Sequence, residues 1–172
     1  MNRVISISGA QGVGKTTLIA ALSAEGFHVI TPSASNIAAG LQFGSAAEKQ
    51  AYIVDTMSRQ LGQALGCDGD VYLDRSALDC YSYMKLDGKL SPKEKAPFER
   101  RLRVMARQLT HAFIPKPGEF AIQANGIRSL DATYQQEWHA ALVAFAKECG
   151  VPYTELSGTV AERLATILHT FQ

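Results

Sequence analysis

The sequence predicts an α/β fold, a five-stranded parallel sheet with helices on both faces. Short β-branched runs alternate with longer amphipathic stretches along the 172 residues, and crossovers of that length must run back over the sheet, which pairs the strands in parallel. A glycine-rich loop also lies at the first strand-to-helix junction, the place where open α/β sheets collect their ligands.

Each element has a local cause. Residues 3–8 (RVISIS) form a β-branched strand that passes through the glycine-rich loop into an Ala/Leu-rich helix ending at Gly26. Residues 27–31 read as a second strand, followed by a Ser/Ala/Gly-rich loop. Ser45-Ala-Ala-Glu48 has the spacing of a capping box and opens a long helix with Ile53, Met57, Leu61 and Ala64 on its core face. Residues 70–74 (DVYLD), bounded by Gly69, are a third strand. Ser91-Pro92-Lys93-Glu94 is a second capping box with proline at the first helical position, and its helix runs to about Leu109. Residues 111–114 read as a fourth strand and 131–149 as a helix with Trp138, Leu142 and Phe145 inward and Gly150 as its cap. Residues 151–156 are a fifth strand, and Thr159-Val-Ala-Glu162 caps a last helix.

Composition sets the outer bounds. A chain of 172 residues suits one domain, 1–172, with a real hydrophobic core. Seventeen basic residues against sixteen acidic give a formal charge of +1, so any contact with nucleic acid must be local. With 47% hydrophobic and 19% charged residues the chain is neither disordered, collagen-like nor coiled coil. Cys67, Cys80 and Cys149 are odd in number and far apart, which supports neither a disulfide framework nor a zinc site and fits a reducing cytoplasm. The longest nearly apolar run, 140–146, is far below the roughly 20 residues of a membrane span, and no signal-peptide region precedes the first strand. The expectation is a soluble, cytoplasmic protein with no membrane partner; its oligomeric state is not written in the sequence.

Gly9-Ala-Gln-Gly12-Val-Gly14-Lys15-Thr16 matches GxxxxGK[ST] without a mismatch, between a predicted strand and a predicted helix. The glycines let the backbone wrap a phosphate, and successive N–H groups with the helix N-terminus supply fixed positive dipoles. ATP or a related nucleotide is therefore expected on Gly9, Gln11, Gly12, Val13, Gly14, Lys15, Thr16 and Thr17, with Lys15 at the β and γ phosphates and the Thr16 hydroxyl on Mg²⁺. A second carboxylate for the metal is expected at the carboxyl end of a neighbouring strand, and Asp74 ends such a strand. Arg75 beside it can grip a phosphoryl oxygen with its guanidinium fork. The plainer reading of this pair is an N-cap aspartate followed by a surface arginine.

The loop at 9–16, VYLDRSALD at 71–79, NGIRS at 125–129 and the ending VPYTELSGTVAERL resemble the P-loop nucleotide and nucleoside kinases. The nearest group is similar to the small, often phage-encoded AAA-28 type, with the nicotinamide riboside kinase domain of bacterial NAD-regulatory proteins and, more distantly, thymidylate kinase. This resemblance implies a three-layer P-loop NTPase fold of the nucleoside monophosphate kinase kind and phosphoryl transfer from ATP with Mg²⁺. It assigns Asp74 as metal ligand or base and Arg75 as phosphate contact. It also implies a lid over about 116–130, with Arg128 closing on the transferring group; Asn125 stands where the family carries aspartate. Relatives often hold the acceptor with a Glu-x-x-Arg-like pattern after the second strand, whereas this chain reads Thr31-Pro-Ser-Ala-Ser-Asn36. Ser33, Ser35 and Asn36 there can offer neutral hydrogen bonds to a base or sugar, or serve as turn chemistry.

Between Lys85 and Arg107, eight basic residues face three acidic ones, a local charge of +5 that leaves −4 for the remainder. Arg100, Arg103 and Arg107 form a stripe opposite Phe98, Leu102, Met105 and Leu109. The stripe is either a solvated face, a holder for the phosphate of a mononucleotide, or a track for a polynucleotide backbone. Three readings follow. The first is a kinase moving the γ-phosphoryl group of ATP to a (deoxy)nucleoside monophosphate or nucleoside. The second keeps the chemistry but takes a hydroxymethylpyrimidine base within phage DNA as acceptor, and the third is a nucleotide-dependent switch or ATPase. Asp55 and Arg59, four apart on one helix, are expected to pair at the surface.

Overall fold

The computed structural model describes residues 2–119 and 132–171. In chain order the elements are β1 (Arg3–Ile7), α1 (Lys15–Ala24), β2 (His28–Ile30), α2 (Ala34–Ala39), α3 (Ala46–Leu65), β3 (Asp70–Asp74), α4 (Ala77–Asp87), α5 (Pro92–Ala106), β4 (His111–Pro115), α6 (Ala132–Cys149), β5 (Tyr153–Leu156) and α7 (Val160–His169). The strands form one parallel sheet in the order β2-β3-β1-β4-β5. This is the sheet the alternation of patterns demands, and its middle strands are apolar on both faces because both are covered.

Successive strand residues divide between two cores. Val4, Val71, Leu73, Ala112 and Ile114 face one side, packed with Ile53 and Met57 of α3, Leu78 of α4, Leu102 of α5 and Trp138 and Phe145 of α6. Ile5, Ile7, Tyr72 and Phe113 face the other, with Leu18 and Leu22 of α1 and Ile167 of α7. At the amino edge Arg3 clamps β1 to β3 through a bidentate bond to Asp70, 2.6 Å from Nε and 2.5 Å from Nη2.

Two helices were not evident from the sequence. The Ser/Ala/Gly-rich loop contains α2, started by the Ser33 hydroxyl, which accepts from the Asn36 N–H. The segment after β3 is α4, opened by a capping box of Ser76 and Asp79. Its polar Asp79 and Ser82 are buried alongside Leu78, Cys80 and Met84, so no amphipathic stripe marks it. The expected Asp55–Arg59 pair does not form. Asp55 is taken by Arg101 of α5 at 2.6 Å, and Arg59 donates to Thr56 Oγ1 at 2.9 Å, because α5 packs beside α3 and brings a cation from outside the helix.

Candidate active site

The carboxyl ends of β1 and β3 are neighbours, with Ile7 paired to Asp74 in the parallel ladder. The chain leaves β1 at Gly9 and turns back through Gly12 at φ 78° and Gly14 at φ 86°, conformations glycine adopts without a Cβ clash. Gly14 is the N-cap of α1, with no side-chain cap and no acidic residue in the first turn. The first N–H groups and the positive end of the helix dipole are thus left to an anion. Lys15 is buried, and its ammonium donates to the Gly9 carbonyl at 2.6 Å and to the Ala10 carbonyl. Thr16 and Thr17 are exposed on the first turn of α1.

The loop is braced from behind. The Gln11 carbonyl accepts from Gln135 Nε2 of α6 at 2.6 Å. The Val13 carbonyl accepts from Arg163 Nη1 of α7, also at 2.6 Å. Arg163 Nη2 donates to Glu119 at 2.6 Å, and that hydrogen bond holds the Glu119 carboxyl below its usual range.

Asp74 is half-buried. Burial raises its pKa, while the charges of Arg75 and Lys15 and a backbone N–H from Ser33 act in the other direction. Arg75 has φ 71°, the one non-glycine residue with positive φ among the described residues. Its own N–H donates to the Ile7 carbonyl at 3.1 Å, and its Nη1 stands 3.7 Å from Asp79 Oδ1. Asp79, which sequence reasoning passed over, is buried and accepts from the Gly9 N–H and the Ser76 N–H, both at 2.9 Å. Its signal was present as Ser-x-x-Asp at 76–79, with aspartate in the place usually held by glutamate or glutamine.

Beside the loop lies a cavity of about 300 Å³. Gln11, Arg75 and Asp79 line its loop end, Trp138, Tyr83, Ile53 and Met57 give it apolar and aromatic walls, and Asn36, Ser35, Lys49 and Gln50 add polar groups. A second cavity of about 340 Å³ shares Lys49, Gln50, Ile53 and Tyr83 with it as a common wall. Of the acceptor residues expected from sequence, Asn36 lines the first cavity, whereas Ser33 is buried with its hydroxyl engaged as the α2 cap. Arg100, Arg103 and Arg107 line neither cavity. Arg103 is held by Glu148 at 2.9 Å and Glu99 at 3.7 Å, with its guanidinium over the Tyr81 and Phe145 rings; Arg100 and Arg107 are exposed on and just beyond α5. Arg128 and Asn125 lie outside the described residues, as does all but the start of the expected 116–130 lid.

Thr16 on the first turn of α1 and Asp74 at the carboxyl end of β3 are hard oxygen donors, a set suited to Mg²⁺. Among the described residues no group of three or more His, Cys, Asp or Glu could hold a metal ion, so an ion here would depend on a ligand's phosphate oxygens to complete its shell. Among the same residues no helix is long and apolar enough to cross a membrane.

A family model described as an AAA domain, of the AAA-28 type, matches residues 4–163. No curated protein matches the chain. Among solved structures, the NadR protein in complex with NR superposes at a TM-score of 0.78 with 18% identity, covering 98% of this chain and 51% of that one, so this chain spans about half its length. Deoxyadenosine kinase from M. mycoides, with products dCMP and dCDP bound, gives 0.66 at 17% identity and 98% of both chains. Thymidylate kinase from Ehrlichia chaffeensis gives 0.67 at 13% identity, with 99% and 98% covered. At these identities the likeness is one of fold, and it is the nucleoside monophosphate kinase-like arrangement of a five-stranded parallel sheet between helical layers.

Proposed function

This chain belongs to the AAA-28 family of AAA domains, and from that premise we propose that it is a phosphotransferase, moving the γ-phosphoryl group of ATP to a (deoxy)nucleoside monophosphate or nucleoside. The observation that carries this reading is the adjacency of two sites. The uncapped N-terminus of α1 and its glycine loop offer a phosphate cradle, and the cavity beside it is lined at that end by Arg75 and by Gln11 of the same loop. A donor phosphate and an acceptor can therefore meet at one place. The kinds of ligand in the NadR and deoxyadenosine kinase structures, NR in one and dCMP with dCDP in the other, support a nucleotide-like acceptor.

The loop amides and Lys15 hold the β and γ phosphates, Lys15 turning from the Gly9 and Ala10 carbonyls to do so. Arg75 grips a phosphoryl oxygen of donor or acceptor, and Arg128, outside the described residues, keeps the charge-stabilising role that the family resemblance implies. Thr16 and Asp74 would hold Mg²⁺, which when bound would supply neutralisation of phosphate charge. In transfer, the bond from the γ phosphorus to the β–γ bridging oxygen breaks and one to the acceptor oxygen forms, leaving ADP. A phosphate acceptor brings an oxygen that is already anionic. A hydroxyl acceptor must lose its proton, and for that acceptor Asp74 acts as base and not as metal ligand, because both oxygens of Asp79 are engaged by backbone N–H groups. The presence of Arg75 and Lys49 in the cavity favours the anionic acceptor.

The test is transfer of γ-labelled phosphate from Mg-ATP to nucleosides, monophosphates, and DNA with plain or hydroxymethylated pyrimidines. Label on a mononucleotide is expected. Label on DNA points instead to a base in DNA as acceptor, for which exposed Arg100 and Arg107 remain as backbone contacts. Release of phosphate with no labelled acceptor points to a switch.

A further inference from the structure

Among the described residues three capping boxes open helices, the fourth expected at Ser45 being incomplete because Glu48 accepts from the Gly44 N–H and not from that of Ser45; one of the three differs in kind. At α5 and α7 the N3 residue is glutamate, Glu94 and Glu162, both exposed. Each of these uses a single carboxylate oxygen, Oε2, for both the N–H and the hydroxyl of its N-cap residue. At α4 the N3 residue is the shorter Asp79, only 2% exposed, and its two oxygens are divided. Oδ2 takes the Ser76 N–H, as a cap requires, while Oδ1 reaches 70 residues back to the Gly9 N–H at the start of the glycine loop. Burying a carboxylate costs free energy that one cap bond does not repay, so the second bond and the nearby guanidinium are part of what keeps it there.

The same Oδ1 lies 3.7 Å from Arg75 Nη1. At that separation charge holds the guanidinium without a hydrogen bond, which leaves its N–H fork for an anion in the cavity that Arg75 and Asp79 both line. The Ser76 N–H held by Oδ2 belongs to the peptide directly after Arg75, and the Arg75 N–H itself is fixed to Ile7. Arg75 is thus pinned on both sides in its φ 71° conformation, a state that persists only when its surroundings impose it.

We propose that Asp79 is a positioning residue that couples the donor loop to the acceptor cavity, fixing the Gly9 amide, the backbone of Arg75 and the aim of its guanidinium with one carboxylate. This rests on the phosphotransfer reading above for its effect on turnover, although its grip on the loop does not. An anion drawn to Arg75 and a nucleotide seated on the Gly9 loop both act on this carboxylate, so each site feels the occupancy of the other.

The experiment compares Asp79→Asn, Arg75→Lys and the double variant with Glu94→Ala, which removes a capping box away from the site. ADP affinity is measured by titration calorimetry, Tm by scanning calorimetry, and kcat and KM with the acceptor that the labelling panel identifies. Asp79→Asn is expected to weaken ADP binding and lower kcat, each by about tenfold, whereas Glu94→Ala lowers Tm and leaves both unchanged. The double variant is expected to turn over no more slowly than Arg75→Lys alone. An Asp79→Asn variant that moves only Tm overturns the inference, and so do losses that multiply in the double variant. Should Asp79→Asn not fold, Asp79→Glu, which keeps the charge but lengthens the reach to Gly9, is judged by the same readouts. If the wild type labels no acceptor, the phosphotransfer reading fails, and ADP affinity alone decides the role of Asp79.

Discussion

Arg163 on α7 donates from Nη1 to the Val13 carbonyl at 2.6 Å, joining residues 150 apart in sequence. The side chain is 1% exposed, and its Nη2 binds Glu119, whose carboxylate also accepts from the Gly158 N–H at 3.0 Å. One guanidinium therefore ties the glycine loop to the ends of β4 and β5. That brace fixes the direction of the loop amides before any ligand arrives.

Replacing this residue should affect stability first. Arg163→Met removes the partner of the Val13 carbonyl and of Glu119, at a cost of about 2 kcal/mol, because exposed Glu119 recovers water while the carbonyl does not. A fall in Tm of roughly 5 °C is expected for a chain of this size. Scanning calorimetry checks it, and an unchanged Tm contradicts the brace.

Lys15→Ala should separate activity from folding. Its ammonium is bonded to carbonyls of the loop itself, and Lys15 is a member of neither apolar core. Phosphoryl transfer is expected to fall at least about 100-fold with Tm changed by only a few degrees. A variant that keeps most of its activity removes the loop from the reaction.

Asp74 carries a prediction in pH. Burial holds its carboxyl above the ordinary value of 3.8, so above that pH the folded chain retains a proton that the unfolded chain has lost. The group's contribution to stability then declines as pH rises from 3.8 through the folded value. Asp74→Asn is expected to match or exceed the wild-type Tm at pH 7, with the gain shrinking toward pH 4, while phosphoryl transfer is lost. A lower Tm at pH 7 together with retained activity counts against both parts.

The thiols should differ in reactivity. Cys80 is buried, accepts from Gln50 Nε2 at 3.0 Å, and burial pushes its pKa up to about 12; burial also raises that of Cys149. Cys67 is only half-buried. Iodoacetamide at pH 8 should label Cys67 and spare the other two, as read by peptide mass spectrometry. Cys80 lines the cavity beside the loop, so its rapid labelling in the folded protein would show that the cavity wall opens.

Local chemistry made much of this molecule legible in advance. The GxxxxGK[ST] loop, the β-branched runs and the Ser-x-x-Glu boxes each act within a few residues, so the parallel sheet, the long helices and the phosphate cradle follow from neighbours in the chain. The short α2 and the largely buried α4 carried no periodic stripe and escaped that reading. The pairing of Asp55 with Arg101, the withdrawal of Arg103 to Glu148, and the bond from Asp79 to Gly9 join residues 46, 45 and 70 positions apart. Only the packing of α3, α4, α5 and α6 around the loop brings such groups together. Burial then decides which of several equivalent charges stays in water and which shapes the site, since a charge removed from water must find its partner wherever the fold has placed one.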